Sequence, residues 1–452
     1  MKKMRVVSLL MSLLVCLTLV APSAAALQTS SFELPKGTSV SARAAMVVYL
    51  GASAEQDTVV YAKGTDQKLA PGGMVRIMAG ITAKALMAEK HLDLDTGTGT
   101  YTSACFAQIT GTGIPTAGME TGDVWTLRDL LTMALLQPAG DVVETLAFSL
   151  AGSEQAFVQR MNELASGEVG CTDTTFKNVT GLDASGQVST AMDTYRILRY
   201  AMGDSDLEAM MALSYYTAKP KKGSEITLPS SNNLLRESTD SYYGSAVMGR
   251  AGSSDTDGSS VAAVARSNGY EYMAVVMGAS NKSGNAHFTD AKTLFQWAFR
   301  NFSLGTIRSK NDPIADLKVR LCWDQDRVQL VPKEDVMAIL PDALDLSTVV
   351  VKATDIPEVI NAPVSKGQVC GKAAFYTPDG QKLAECDLVA DQTLSRNQWL
   401  FVWYCVGRFF SSRWFWGGFV ILMLLCGGYV LLTIQHNKQR RAEHQQKVRP
   451  PK

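Results

Sequence analysis

Few residues in this 452-residue chain have the types and spacing that catalysis needs. Neither a Gly-x-Ser-x-Gly nucleophile elbow nor a His-Glu-x-x-His zinc motif occurs. Of the four histidines, only His91 and His287 lie outside the C-terminal tail, and each is more typical of a solvated or core residue than of a catalytic base. The eight cysteines have no paired zinc-ligand spacing. The sequence therefore predicts no metal and no cofactor.

The charge balance argues against nucleic acid as a partner and indicates a membrane. Lysine and arginine together number 43, as do aspartate and glutamate, so the formal net charge is zero. A nucleic-acid-binding protein normally carries a basic excess, so we expect no nucleic acid among the partners. The charge is unevenly distributed, with +3 in residues 1–26, +5 in residues 435–452 and −8 between them. Basic ends around an acidic middle indicate a membrane topology.

The first 26 residues have the three parts of a secretory signal peptide. A basic start is followed by an apolar run that ends at Val20 and by three alanines, the last of which is Ala26. We expect cleavage after Ala26. An uncleaved membrane anchor stays open as the alternative, although the apolar run is short for a span.

Residues 414–434 form a second apolar segment, which contains no charged residue. Its length is sufficient to cross a hydrocarbon core of about 30 Å. Four tryptophans between 399 and 416 gather on its N-terminal side, as in an interfacial aromatic belt. The stronger basic cluster follows the segment, so the positive-inside rule predicts that residues 435–452 are cytoplasmic. A buried helix of a soluble protein is the alternative to this single-pass topology.

Hydrophobic periodicity between the two segments predicts an α+β domain followed by a small β domain. Residues 36–62 alternate as a β-hairpin does, and residues 96–116 are typical of a loop with short strands. Both ends of the first domain supply strands, so we expect one sheet around an inserted helical lobe. The predicted helices are 75–90, 126–137, 141–150, 153–166, 193–201 and 289–302, and the later strands are 246–249, 260–266 and 272–278. Residues 306–395 have turn pairs and little helical period, which favours a β-rich domain.

An odd number of cysteines lies in the predicted exported part, so they cannot all pair with one another. A bridge between Cys370 and Cys386, a bridge between Cys105 and Cys171, and free thiols all stay open. These cysteines are Cys105, Cys171, Cys322, Cys370 and Cys386.

Four framework segments resemble those of the D-alanyl-D-alanine carboxypeptidase family, the low-molecular-mass penicillin-binding proteins. Residues 176–182, Phe-Lys-Asn-Val-Thr-Gly-Leu, are similar to the Phe-x-Asn-Pro-x-Gly-Leu of that family, with Val179 in place of proline. Residues 189–193, Ser-Thr-Ala-Met-Asp, match its Ser-Thr-Ala-x-Asp helix start. Residues 232–235 and 151–157 resemble two further family segments. The resemblance covers about 40–302.

The resemblance implies a domain order and a location. It implies a penicillin-binding-protein or β-lactamase-like transpeptidase domain at 36–303, a β-rich membrane-proximal domain at 306–395, and one C-terminal transmembrane helix at 414–434. Family members act on peptidoglycan, so it also implies a bacterial cell membrane with the main domains extracytoplasmic. The implied partners are the peptidoglycan stem peptide, cell-wall synthesis proteins and the membrane itself.

The first catalytic motif of the family is degenerate in this chain. Family members carry Pro-Ala-Ser-x-x-Lys where residues 71–76 are Pro-Gly-Gly-Met-Val-Arg. Gly73 replaces the nucleophilic serine, and without a nucleophile no acyl-enzyme forms. Arg76 replaces the lysine that accepts a proton, and a guanidinium stays protonated in proteins. A Lys-Ser-Gly-Asn sequence at 282–285 follows the last predicted strand, and we interpret it as a loop.

The second and third motifs are also altered. The family's Ser-x-Asn corresponds to Ala139-Gly140-Asp141, which has no hydroxyl and offers a carboxylate where asparagine offers donor and acceptor. Its Lys-Thr-Gly corresponds to Arg250, Ala251 and Gly252, and Arg250 retains the charge that would bind a ligand carboxylate.

The new charges at the motif positions suggest mutual compensation. We predict that Asp141 forms an ion pair with Arg76, Arg250 or both, and independent drift of the three motifs is the alternative. Gly72, Gly73 and the Thr/Gly-rich loop at residues 96–116 also predict an open cleft.

Three functions follow from the resemblance. The favoured hypothesis is a catalytically inactive homologue that binds peptidoglycan stem peptides, through Arg250, or a protein partner. The alternatives are an active D-alanyl-D-alanine carboxypeptidase and a purely structural interaction platform. Whether this chain is an enzyme therefore depends on the residues around Gly73.

Overall fold

The computed structural model describes residues 28–29 and 32–447. The chain divides into two compact units. The first comprises the residues up to Gly305 together with 337–350 and 376–384, and the second comprises 306–336, 351–375 and the residues from Glu385 onwards. The predicted signal peptide at 1–26 and the end of the predicted tail at 448–452 lie outside the described residues.

A six-stranded sheet forms the centre of the first unit. Its strands are β1 (Gln28–Thr29), β2 (Ala44–Tyr49), β3 (Thr58–Lys63), β8 (Ala246–Ser254), β9 (Gly258–Ser267) and β10 (Tyr270–Ala279). They lie in the order β1-β3-β2-β10-β9-β8. All neighbours are antiparallel except β1 and β3, and β10 pairs with β2 with Val275 opposite Met46. The prediction that both ends of the domain share one sheet is confirmed.

Both faces of this sheet are buried, as the continuous apolar run of β2 indicates. Met46 and Val48 belong to one hydrophobic cluster, which contains the helical lobe. Ala45 and Val47 point to the other face and join a second cluster. That second cluster is covered by helix α8 (Ala286–Asn301). The sheet therefore lies between two helical layers.

The inserted lobe is helical, as predicted, and three of its larger helices begin at side-chain caps. The larger helices are α1 (Val75–Glu89), α3 (Leu127–Leu136), α4 (Gly140–Ala151), α5 (Glu154–Gly167) and α6 (Ala191–Ala201). Thr126, Ser153 and Thr190 each accept a hydrogen bond from the backbone N–H three residues later. These bounds agree with the predicted helices to within two residues.

Shorter elements differ from the prediction. Residues 96–116 contain β4 (Thr98–Thr100), as expected of short strands, but also a helix, α2 (Ser103–Ile109), that the periodicity missed. The helix is short, and Thr102 caps it by accepting from Cys105 N. Strand β5 (Val124–Thr126) pairs with β4, and helix α7 (Ser205–Met211) follows α6. A hairpin of β6 (Tyr215–Ala218) and β7 (Ile226–Pro229) precedes β8.

The C-terminal part after α8 is rich in β-strands, as predicted. Its strands are β11 (Phe302–Arg308), β12 (Ala315–Arg320), β13 (Arg327–Pro332), β14 (Val336–Pro341), β15 (Val350–Thr354), β16 (Val359–Asn361), β17 (Val369–Tyr376) and β18 (Lys382–Ala390). Six of them form a sheet in the order β15-β17-β18-β13-β12-β16. Along β12, Leu317 and Val319 are buried while their neighbours are exposed, which is the pattern of a sheet with one solvated face.

Two helices end the described chain. Helix α9 (Gln398–Phe410) exposes Trp399, Trp403 and Phe409, and helix α10 (Arg413–Lys447) follows after a short turn. The segment Arg413–Arg440 of α10 is long and apolar enough to cross a membrane. It contains the predicted span at 414–434.

The seven cysteines within the described residues are all free thiols. Of the possibilities that the sequence left open, the structure supports the free thiols. Cys105, Cys171 and Cys370 are buried.

Candidate functional site

The degenerate first motif forms a tight turn that is in backbone contact with β8. Residues Gly72–Met74 form a single 3-10 turn that leads into α1. A Cβ placed on Gly73 would lie 3.0 Å from the Cα of Gly252, and one placed on Gly252 would lie 2.5 Å from the Cα of Gly73. A Cβ on Gly72 would come within 2.5 Å of the Ser253 carbonyl oxygen. Glycine at these positions therefore permits β8 to approach the start of α1 closely.

Arg250, on β8, links this turn to the end of α3. The side chain is fully buried, and its Nε donates to the Gly73 carbonyl oxygen at 2.9 Å. Its Nη1 donates to the Leu135 carbonyl oxygen. Its Nη2 has no hydrogen-bond partner and lies 3.9 Å from the position that a Cβ on Gly73 would take. Burial, and secondarily the charge of Arg76, lower the pKa of Arg250 well below its ordinary value.

Arg76, on the first turn of α1, is also fully buried and bonds only to backbone carbonyls among the described residues. Its Nη1 donates to the carbonyl oxygens of Gln137 and Ala139 at 3.0 and 2.8 Å, and its Nη2 donates to that of Thr180 at 3.1 Å. Leu135 and Gln137 lie at the C-terminal end of α3, where helix carbonyls lack intrahelical partners and the helix dipole is negative. Burial lowers the pKa of Arg76 to about 10, although Asp141 and Glu144 oppose that shift.

The predicted ion pair of Asp141 is wrong. Within the described residues, no carboxylate oxygen of Asp141 lies within 4.0 Å of either guanidinium group. Instead Asp141 accepts hydrogen bonds from the backbone N–H groups of Ala117, Gly118 and Met119 at 2.9–3.0 Å, and from its own first turn at Val142. A carboxylate is favourable there because α4 begins at Gly140 and its N-terminus is positive. Asp141 therefore anchors a loop and makes no direct ion pair, although its charge still raises the pKa of Arg76 through space.

The Thr/Gly-rich loop lies over the second motif. Gly140 N donates to the Pro115 carbonyl oxygen at 2.8 Å, and a Cβ on Gly140 would come within 2.7 Å of Ile114 Cγ2. The carboxylate of Asp141 accepts hydrogen bonds from the backbone of residues 117–119, which follow in the same loop. With β8 against Gly73 on one side and this loop against Gly140 on the other, the expectation of an open cleft is wrong for this structure.

The sequence reasoning missed a pair of acidic side chains close to Arg76. Glu144, on α4, is 1% exposed and shares a side-chain hydrogen bond with Glu154, at the start of α5. Glu154 also accepts from Val179 N at 3.0 Å. Burial, and secondarily the charge of Glu154, raise the pKa of Glu144 to about 8. A glutamate in the apolar pattern of α4 was the signal that could have identified this pair.

The structure brings the seven degenerate positions close together, but their side chains offer no nucleophile. These positions are Gly73, Arg76, Ala139, Asp141, Arg250, Ala251 and Gly252. Gly73, Ala139 and Ala251 have no hydroxyl or thiol, and both arginines are occupied by backbone carbonyls. Groups of three or more acidic, histidine or cysteine side chains that could hold a metal ion are absent from the described residues. The Lys-Ser-Gly-Asn sequence forms a 3-10 turn after β10, in agreement with the predicted loop.

A groove of about 1030 Å³ lies elsewhere on the first unit. It is lined by α1, α6 and residues 52–55, and it includes none of the degenerate positions. Its basic side chains already have acidic partners: Lys84 Nζ lies 3.3 Å from Asp204 Oδ2, and Arg199 Nε lies 2.8 Å from Asp57 Oδ2. The groove therefore does not substitute for the family's cleft.

The α+β fold with a C-terminal β domain defines a class, that of proteins with the penicillin-binding-protein fold. Residues 30–281 match the family model described as D-alanyl-D-alanine carboxypeptidase, and residues 302–396 match the model described as penicillin-binding protein 5, C-terminal domain. The first match covers more than half of the chain. The chain therefore belongs to the D-alanyl-D-alanine carboxypeptidase family.

Relatives with known names agree with this assignment. The chain is 26% identical over 345 residues to D-alanyl-D-alanine carboxypeptidase DacF of Bacillus subtilis, covering 76% of this chain and 84% of that protein. It is 28% identical over 365 residues to D-alanyl-D-alanine carboxypeptidase DacC of Escherichia coli, covering 79% and 87%. Each comparison extends beyond the transpeptidase-like domain.

Solved structures show the same fold. Penicillin-binding protein 5 of Haemophilus influenzae aligns with a TM-score of 0.62 at 21% identity, covering 81% of this chain and all of that one. The D-alanyl-D-alanine carboxypeptidase DacD of Francisella tularensis aligns with a TM-score of 0.64 at 17% identity, covering 81% and 97%. At these identities the likeness concerns the fold alone.

Proposed function

We propose that this chain is a membrane-anchored, extracytoplasmic and catalytically inactive member of its family, which acts as a binding module in cell-wall metabolism. Its relatives are named for the hydrolysis of D-alanyl-D-alanine, a reaction that requires a nucleophile. The observation that carries the proposal is the absence of a side chain at Gly73, the position of the nucleophile, in a buried turn that is in close contact with Gly252. A Cβ on Gly73 would lie 3.0 Å from the Gly252 Cα, so β8 would have to shift by a few tenths of an ångström to admit a serine side chain.

The C-terminal helix supports a single-pass topology in a bacterial cell membrane. We propose that 414–434 is the span, that the domains at 36–303 and 306–395 are extracytoplasmic, and that the basic tail at 435–452 is cytoplasmic. The aromatic residues exposed on α9 are suited to the membrane interface. Residues 1–26 would direct export.

The closed site favours a protein partner over a stem peptide. Arg250 was the predicted carboxylate ligand, and it is 0% exposed in this arrangement. A stem-peptide carboxylate would reach it only after β8 had moved away from Gly73. A cell-wall synthesis protein that contacts the outer surface needs no such movement.

Covalent labelling with a fluorescent penicillin tests the inactivity. The full-length protein in detergent micelles should remain unlabelled, while DacC of Escherichia coli serves as the positive control. A labelled wild type would overturn the proposal, because it would require a nucleophile elsewhere. The Gly73→Ser, Arg76→Lys double variant should also remain unlabelled, because β8 occupies the space beside residue 73.

A binding measurement separates the two kinds of partner. Isothermal titration with a synthetic stem pentapeptide ending in D-alanyl-D-alanine should give no heat above the dilution control. Saturable binding that disappears in Arg250→Met would instead favour the stem peptide as the ligand. Cleavage of the bound peptide would favour an active carboxypeptidase.

A further inference from the structure

Helix α9 has an apolar surface that no other part of the described chain covers. Arg408 is its single charged residue, and none of its side chains is buried. Trp399, Val402, Trp403 and Phe410 recur at helical spacing, and each is at least half exposed. At about 1.5 Å per residue the helix is about 20 Å long, which is too short to cross a hydrocarbon core of about 30 Å. A contiguous exposed apolar surface of this kind indicates an interaction site.

The bilayer that α10 would cross is the cover that the structure indicates for α9. Only Ser411 and Ser412 separate the two helices. Across this turn the ring of Phe415 lies 4.9 Å from that of Phe409 and 4.8 Å from that of Phe410, measured between centroids. An apolar helix joined so closely to a span remains at the level where the span leaves the hydrocarbon core. Helix α9 therefore locates the membrane interface beside the second unit.

The loop between β12 and β13 is bonded to the segment that leads into α9. Asn397 caps α9, and its backbone N–H donates to the Leu321 carbonyl oxygen at 2.8 Å. Nearer the other end of the loop, Gln392 Nε2 donates to Gln325 Oε1. These two bonds hold residues 321–325 beside the first turn of α9.

Trp323 lies at the tip of this loop and is 75% exposed. The loop is closed by the backbone N–H of Val319, which donates to the Asp326 carbonyl oxygen at 2.7 Å. A single exposed apolar side chain is ordinary on a protein surface and would indicate nothing by itself. Here the side chain is a tryptophan on a loop bonded to the root of an interfacial helix, and tryptophan is enriched at membrane interfaces.

The charges around the loop limit how deeply it can enter a bilayer. Asp324 and Asp326 flank the tip and are exposed, so they remain hydrated. Two guanidinium groups lie on the same part of the chain: Arg320 ends β12, and Arg396 lies with its guanidinium carbon 3.9 Å from the centroid of the Phe401 ring. Arginines are favoured at the level of the headgroups, where their charge meets phosphate. These four charges suit the headgroup layer and exclude the acyl core.

We propose that the tip of the β12–β13 loop is a further membrane contact, in which Trp323 enters the headgroup layer of a phospholipid bilayer beside α9. The loop and α9 are separate points of contact, so together they would fix the orientation of the second unit on the membrane. One tryptophan binds a bilayer weakly, so the loop orients the unit and does not anchor it. This contact rests on the proposed single-pass topology and is independent of catalytic inactivity.

Fluorine-19 NMR of the full-length protein in phospholipid nanodiscs tests the contact. The chain has seven tryptophans, and 5-fluorotryptophan gives each a resonance that a single substitution by phenylalanine assigns. The nanodiscs contain phosphatidylethanolamine and phosphatidylglycerol, with or without a phosphatidylcholine that carries a nitroxide on its headgroup. With the nitroxide lipid, the resonances of Trp323, Trp399 and Trp403 should each lose roughly half of their intensity or more. Trp125 and Trp297, which are buried in the first unit, should keep theirs.

A new tryptophan elsewhere in the second unit provides the matched control. Glu334→Trp places an exposed tryptophan after β13, at the opposite end of that strand from the loop. The strand has six residues, so its ends lie about 20 Å apart. The resonance of this tryptophan should keep its intensity. Equal losses at positions 323 and 334 would overturn the assignment of the contact to the loop.

The same spectra separate failure of this contact from failure of the proposed topology. Loss of intensity at Trp399 and Trp403 with none at Trp323 would overturn the contact, leave the topology standing and leave the loop tip to a protein partner. Unchanged intensity at all three would overturn the contact and the interfacial position of α9 together. Labelling of the wild type by penicillin would end the proposed inactivity and would leave these spectra unaffected.

Discussion

Gly73 and Gly252 lie so close together that a side chain at Gly252 would collide with the backbone of Gly73, and one at Gly73 would be tightly packed against Gly252. The Cα of Gly73 is 2.5 Å from where a Cβ on Gly252 would be, which is shorter than any ordinary carbon–carbon contact. Gly73 is the middle residue of the Gly72–Met74 turn before α1, and Gly252 lies on β8 at the third motif position. The contact therefore joins the two walls of the family's catalytic site.

Replacing Gly252 by alanine should weaken this contact. The added methyl group meets backbone atoms of Gly73, which cannot rotate away, so we expect a loss of about 1–3 kcal/mol in unfolding free energy. Urea denaturation measures the change. Gly167→Ala is the matched control, because it lies on α5 with nothing within 4 Å, and alanine should be neutral or slightly stabilising there. Equal effects of the two substitutions would contradict the close contact.

Asp141→Asn should release the Thr/Gly-rich loop. An asparagine has one acceptor oxygen, so it cannot replace both carboxylate oxygens that bind Ala117, Gly118 and Met119. We expect faster amide hydrogen exchange in residues 110–119 and a loss of about 1–3 kcal/mol. Asp123→Asn, which removes one exposed bond to Glu120 N, should leave the exchange of 110–119 unchanged. Unchanged exchange in Asp141→Asn would show that the loop is held by other contacts.

Stability should decline with rising pH because of Glu144. Its folded pKa is raised from 4.5 to about 8, so between these values the folded state holds a proton that the unfolded state has lost. This contribution is fully present below pH 4.5 and is lost as the pH rises through 8. Glu144→Gln should therefore show a shallower decline in urea denaturation between pH 5 and 8. Glu163→Gln, on the exposed side of α5, should follow the wild type, and parallel curves for Glu144→Gln would contradict the shared proton.

Reducing agents should leave the melting temperature unchanged, because the described cysteines are free thiols. In urea without reductant, a thiol reagent should label all of them. In the native state Cys171 should react very slowly, since burial raises the pKa of its thiol to about 12. Cys322, which is partly exposed, provides the comparison. A reductant-dependent fall in melting temperature would indicate a bridge after all.

A chain that stops after Arg396 should appear in the soluble fraction after export, because it lacks α9 and α10. A chain that stops after Ile434 retains the apolar segment and should stay with the membranes, which makes it the control. Fractionation followed by immunoblotting measures both. If the shorter chain also remained with the membranes, the uncleaved N-terminal segment would be the anchor.

The sequence was sufficient to predict the framework. The helical periodicity and the apolar runs of β2 and β10 largely determine local structure, so the helical lobe and the shared sheet followed from the sequence pattern. Helix α2 was missed because seven residues give too little periodicity. The structure brings the three motif positions that the resemblance indicated close together.

The contacts within the site did not follow from the sequence. Opposite charges at Arg76 and Asp141 suggested an ion pair, but charge alone does not reveal which backbone groups lack partners. The free carbonyls at the end of α3 bind the arginines, and the free N–H groups of the Thr/Gly-rich loop bind Asp141. Such acceptors and donors become visible only once the helix ends and the loop are placed.

The glycine contact also bears on evolutionary reversibility. A serine at position 73 would meet Gly252, and any return to acyl transfer would require β8 to retreat, Arg250 to leave two carbonyls and the loop over Gly140 to lift. Each change alone would lower stability without gaining turnover. We therefore expect that no single substitution restores catalysis without a loss of stability, so that closure of the site is difficult to reverse in evolution.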